Sequence, residues 1–184
     1  MEKTRWLDLL VLLMISGLIV TATAAIYYSL GMTSTITTAT TDVWFVLGVD
    51  NGTAGVTLSP QGTSANLASL KAYPNASVTY TDPLRVRNNH STSTYNVRLN
   101  PVSLSGNDTE FAYVKFLLRQ GIYENNATLA SLNYTCDGSS WTIPPTTGWI
   151  QIPGSTEYAI TVITMAKDSA ASAQVAIEIA IDVQ

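Results

Sequence analysis

Cysteine and histidine are nearly missing from this 184-residue chain: Cys136 and His90 are the only ones. One thiol cannot close an internal disulfide, and one Cys with one His cannot build a closed zinc site of the Cys/His type. A Ser-His-Asp arrangement would have to rest on His90 alone, and no His-Glu-x-x-His occurs. Charge is scarce as well, at 12% of residues. Nine Lys and Arg against thirteen Asp and Glu leave a net charge of −4 and a pI near 4.7. The basic residues never cluster, so the positive face that would neutralise nucleic-acid phosphates is lacking. Asp42, Asp50, Asp82, Asp108, Asp137 and Asp168 are scattered without EF-hand spacing, which reads as solvated surface charge. The expectation is a protein that is not an enzyme, with no catalytic residues, no metal, no cofactor and no nucleic-acid partner. Cys136 reads as a small buried hydrophobe, with an intermolecular disulfide as the alternative.

What is present begins with a targeting pattern. Lys3 and Arg5 precede an apolar run from Leu9 to Val20, followed by Thr21-Ala22-Thr23-Ala24-Ala25. That is a charged start, a short apolar stretch and a small-residue cleavage site, so residues 1–24 are expected to be a secretory signal cut after Ala24. The rival reading is an uncleaved anchor, since no charge lies between Asp8 and Asp42. Either way the chain is expected outside the cell, with the membrane a partner only during secretion. Six Asn-x-Ser/Thr sequons, at Asn51, Asn75, Asn89, Asn107, Asn126 and Asn133, are candidate N-glycosylation sites. Asn89 and Asn107 stand out because turn residues flank them.

Beyond the first forty residues the period is two. Val175, Ile177, Ile179, Ile181 and Val183 alternate with polar or small residues, as do Tyr158, Ile160 and Val162. Leu84 and Val86, then Tyr95, Val97 and Leu99, alternate on either side of Asn88-Asn89-His90-Ser91-Thr92-Ser93, which reads as a β-hairpin. Val43 to Val49 and Phe111 to Leu118 are apolar on both faces and read as central strands. Short helices are expected only at Ser64 to Leu70 and near Asn126 to Leu132. Most of Trp44, Trp141, Trp149, Tyr123 and Tyr158 are expected in the core. The whole indicates an all-β fold: an antiparallel, jelly-roll-like β-sandwich of seven to nine strands over residues 42–184.

Residues 25–41 are set apart. In Ile26-Tyr27-Tyr28-Ser29-Leu30-Gly31-Met32 and on to Ile36, apolar side chains fall on even positions, Thr and Ser fill much of the rest, and there is no charge. The pattern fits the first strand of the same sandwich. It fits equally a strand given to a neighbouring subunit, where backbone hydrogen bonds supply affinity and alternate side chains fill pockets. Repeated head to tail, such a contact makes a filament.

The order of these features resembles the TasA/camelysin family of secreted fibre subunits, and especially its archaeal members that form bundling pili. The residues that carry the resemblance are Thr21–Ala25, Ile26–Gly31, Asp42-Val43-Trp44-Phe45-Val46, the stretch Pro83–Asn89 with Tyr95–Leu99, and the alternating Ala173–Val183. The resemblance implies a jelly-roll sandwich and an exchanged N-terminal donor strand, with Ile26, Tyr28, Leu30, Met32 and Ile36 facing the next subunit's core. It implies a homopolymer of identical subunits and lateral bundling in a biofilm matrix or pilus. The acceptor groove is expected beside Ala173–Val183 or Val43–Val49. The camelysin branch is also described as a metalloprotease, a chemistry that this sequence does not supply. The alternative function is a secreted or surface-layer-associated carbohydrate-binding sandwich. A type IV pilin fits less well, because it would keep a long apolar helix after cleavage.

Overall fold

The computed structural model describes residues 42–106, 110–123, 125–137, 140–168 and 173–184. The signal segment, residues 25–41 with the five expected donor side chains, and Asn107 lie outside the described residues. The elements are β1 (Val43–Leu47), α1 (Asn51–Ala54), β2 (Val56–Leu58), β3 (Ser64–Ala72), β4 (Ser77–Asn88), β5 (Tyr95–Gly106), β6 (Phe111–Arg119), β7 (Thr128–Cys136), β8 (Trp141–Thr142), β9 (Ile150–Ile152), β10 (Thr156–Ala166) and β11 (Ala173–Val183). They form a six-stranded sheet, β1-β4-β10-β6-β7-β8, and a five-stranded sheet, β2-β3-β11-β5-β9. Every ladder is antiparallel. One apolar cluster joins them, with Phe45, Leu84, Ile160, Phe116 and Leu132 from the first sheet and Leu67, Leu99, Ile177 and Ile179 from the second. The all-β antiparallel sandwich is therefore as expected. Among the described residues no helix is long and apolar enough to cross a membrane.

Alternation alone accounts for β11, where Val175, Ile177, Ile179 and Ile181 are buried and the residues between them half-exposed. Two prolines sit inside long strands, where a missing N–H would cost a ladder bond. Both are at bulges. Thr81, Asp82 and Pro83 of β4 stand opposite the single Thr161 of β10, and Pro101 lies at the shift between Glu178 and Ile179 of β11. The backbone freed at the first bulge is satisfied by side chains. Asp50 Oδ2 accepts from Thr81 N (2.9 Å) and Asp82 N (3.1 Å), and Thr161 donates its hydroxyl to Thr81 O (3.0 Å).

Several expectations are corrected. The runs flanking Asn88–Ser93 are not a hairpin: β4 and β5 belong to different sheets, and both edges of β4 are already taken by β1 and β10. The fully buried Asn88 holds this crossing. Its amide donates to Ser93 O (2.8 Å) and Ile152 O (2.9 Å), and its Oδ1 accepts from His90 N (3.0 Å). Ser64 to Leu70 is strand β3 and not a helix. A bulge against β11 sets the buried Leu67 and Leu70 three residues apart, which imitates helical spacing. The second expected helix is the start of β7, drawn into a hairpin with β6. Val43–Leu47 is an edge strand and not a central one, whereas β6 is flanked by β10 and β7. The short strands β2, β8 and β9 have too few residues for a period-two signal.

Candidate functional site

Assembly by strand addition needs an edge with unpaired backbone, so the sheet edges are the places to examine. The outer strands β1, β8, β2 and β9 run five, two, three and three residues, against nine to twelve for the strands between them. Ala173–Val183, one of the two expected acceptor positions, is ruled out. It pairs with β3 on one side and β5 on the other, and has no free edge.

The β1 edge is bounded by the protein's own groups. The turn from β2 to β3 lies against it, and Phe45 N donates to Gly62 O (2.7 Å). Gly62 has φ +66, and a Cβ there would press on Phe45 O and Trp44 Cβ at 3.0 Å, so glycine is required for this close approach. A cleft of about 490 Å³ remains between Trp44–Leu47 and Leu58–Gly62. Where β1 ends, Gly48 N donates to Pro83 O (3.1 Å) and Asp50 N to Asp82 O (2.9 Å). A side chain at Gly48 would run into the Asp82 carbonyl oxygen.

Charge gathers beside this clasp. Arg85 donates to both Asp82 carboxylate oxygens (2.9 and 2.5 Å) and to Glu157 (2.9 Å), and Arg87 stands 3.6 Å from Glu157. Asp82 and then Glu157 hold the guanidinium more firmly charged than usual. The Asp82 N–H, more than any other group, pulls the Asp50 carboxyl below its ordinary 3.8, with the Thr81 hydroxyl and N–H adding to it against the opposing effect of burial.

The opposite end of the six-stranded sheet differs. β8 pairs only with Thr135 and Cys136 of β7. Residues 128–134 have no outer strand partner among the described residues. In this stretch Leu132 and Tyr134 are buried and Ala130 half-buried, while Leu129, Ser131 and Asn133 face out. Burial raises the pKa of the Tyr134 hydroxyl. Tyr134 Oη, Trp141 Nε1, Arg119 Nε and Glu110 Oε2 are buried without a hydrogen-bond partner.

The remaining expected site residues are dispersed. Asn75, at φ +57, Asn89 and Asn133 expose their side chains. Asn51 and Asn126 are half-buried and commit their amides to Gly48 O and Gln120 O at 2.5 Å. Tyr158 is buried, Trp44 and Trp141 are half-buried, and Tyr123 is 70% exposed. Trp149 is 44% exposed, but Arg98 lies over its ring at 4.5 Å. Cys136 is buried. His90 Nδ1 accepts from Thr92 N and Ser93 N, a structural use within the turn. Among the described residues no three His, Cys, Asp or Glu side chains converge as metal ligands would. The two edges and the Asn88 lock carry no fixed motif, and only the unbroken neutrality of residues 128–136 hinted at the second edge. No family model and no curated protein matches this chain.

Proposed function

We propose that this chain is the subunit of an extracellular filament that polymerises by strand exchange, residues 26–37 of one copy completing a sheet of the next. The observation that supports this most is a mismatch. The described chain from Asp42 has a joined apolar core, yet positions 128–134 of β7 have no outer strand partner among the described residues, and the sequence just before it, residues 25–41, is uncharged and strand-patterned. Twelve residues of added strand form on the order of ten backbone hydrogen bonds, each worth roughly 0.5–1.5 kcal/mol net. Burial of Ile26, Tyr28, Leu30, Met32 and Ile36 adds about 1.5–3 kcal/mol each, before the cost of association. The finer parts of this reading are a jelly-roll-like topology, a cleaved signal, surface glycans and lateral bundling of filaments.

A carbohydrate-binding module would want a bare aromatic platform. The Arg98 guanidinium lies over one face of the Trp149 ring and takes that face from a stacked sugar, so the filament reading is preferred. Deleting residues 25–37 is the direct test. The outcome expected is a soluble, β-folded, assembly-incompetent monomer, and filaments of normal appearance under the electron microscope would reject the reading. Leu30→Asp or Ile36→Asp weakens or blocks polymerisation by placing an unpaired charge in an apolar groove.

A further inference from the structure

We infer that the acceptor for residues 26–37 of a neighbouring copy is the outer edge of β7, residues 128–134, and not the edge of β1; this rests on the strand-exchange reading above. The first argument is reach. The described residues start at Asp42, at the head of β1. The five steps from residue 37 to Asp42 span at most about 17 Å. A strand added outside β7 lies five strand spacings from β1, about 24 Å away. A chain's own segment therefore cannot take that seat with Ile36 in place. A seat outside β1 is one spacing away, and residues 38–41 are a sufficient hairpin loop. An acceptor at β1 would let each copy fill itself and end assembly. An acceptor at β7 is open only to another copy, which makes the contact head to tail.

The second argument is chemical fit. β7 reads Thr-Leu-Ala-Ser-Leu-Asn-Tyr-Thr-Cys, with no charge and no proline. Such a strand on an uncovered edge lacks the usual protection against pairing with another chain. The incoming segment is equally uncharged. On that edge its even positions, Tyr28, Leu30 and Met32, would continue the inward row of Ala130, Leu132 and Tyr134. β1 is equally free of charge, but its outer side is held by the chain's own turn, where Phe45 N donates to Gly62 O.

The third argument is polar satisfaction. Among the described residues, the buried polar atoms without partners belong to Glu110, Arg119, Tyr134 and Trp141, on or beside β6, β7 and β8, and none to β1 or β4. Buried polar groups are paired in finished structures, so the unmet polar groups gather at this end of the sheet and not at β1.

Cysteine cross-linking of filaments grown from the full chain tests the assignment. In a Cys136→Ala background, Ser131→Cys on β7 or Val46→Cys on β1 is combined in turn with Ser29→Cys, Thr33→Cys or Thr35→Cys. Disulfides form only where Cα atoms come within about 7 Å, so one Ser131 pairing should yield about tenfold more cross-linked oligomer than any Val46 pairing. A ladder through Val46→Cys with none through Ser131→Cys overturns the β7 assignment and leaves strand exchange standing. Cross-links confined to single chains, or no filaments at all from the unmodified protein, overturn both.

Discussion

At one end of the six-stranded sheet β1 is five residues long, and the loop ending at Gly62 lies against its outer side; at the other end β7 is nine residues long, and β8 covers two of them. The first edge is closed by backbone contacts that only glycine permits, at Gly48 and Gly62. The second strand has no charged residue of its own, though Arg119 reaches the Thr128 hydroxyl, and among the described residues buried polar atoms without partners lie on it and beside it. Among the described residues, one sheet thus ends once in an edge held by its own turn and once in a strand whose residues 128–134 have no outer partner. The difference teaches that an open edge is recognised less by exposed apolar area than by backbone and buried polar groups left unmatched.

Four substitutions sharpen this contrast or break it. The largest effect is expected at Phe45→Ala, because this edge side chain is packed as core. The loss should be about 3–5 kcal/mol in urea unfolding, and a loss below about 1 would show that the β1 boundary is loose. Next comes Gly48→Ala, where the new methyl meets the Asp82 backbone. It should lower stability by about 1–3 kcal/mol, read from the thermal midpoint.

A pH effect follows at Asp50. Its folded pKa lies below the ordinary 3.8, so the carboxylate contributes stability above that pH and loses it as pH falls through the lower folded value. Asp50→Asn should therefore flatten the acid-side decline of stability below about pH 4. An unchanged acid limb would mean that Asp50 does not hold the bulge. The smallest effect on folding is expected at Leu129→Asp on the outward face of β7, within about 0.5 kcal/mol of the parent in the same urea titration. A loss of core size there would show the β7 edge to be already covered.

Glycan mapping of native material by peptide mass gives a further contrast. Asn75 and Asn89 should be occupied more than Asn51 and Asn126, whose amides are engaged by backbone carbonyls. Higher occupancy at Asn51 would show that the turn after β1 opens.

Much of the sandwich was legible in the sequence. Period-two runs located β10, β11 and parts of β4 and β5, because each puts one face on the core, and the run apolar on both faces located β6 as a central strand. Pairing was not legible. Alternation says which face is buried but not which strand lies alongside, so the turn-rich Asn88–Ser93 suggested a hairpin where the chain changes sheets. Bulges were invisible for a related reason. The displaced spacing of Leu67 and Leu70 mimics a helix, and β1 gave no sign in its own residues that it stands at an edge. Of the candidate site, the neutral composition of β7 was readable, but its exposure depends on where β8 stops.

Asp42 has a mechanical consequence. Its carbonyl accepts from Asn89 N (2.8 Å) and its carboxylate from the Tyr95 hydroxyl (2.7 Å), which that bond keeps protonated to higher pH than usual. Tension on the chain before Asp42 is thus passed at once to the β4–β5 crossing, where Asn88 ties three backbone groups together. Pulled along its axis, β1 loads its ladder with β4 in shear, so the bonds resist together and do not unzip one at a time. Asp42, the first described residue, is built as a tether point at the head of β1.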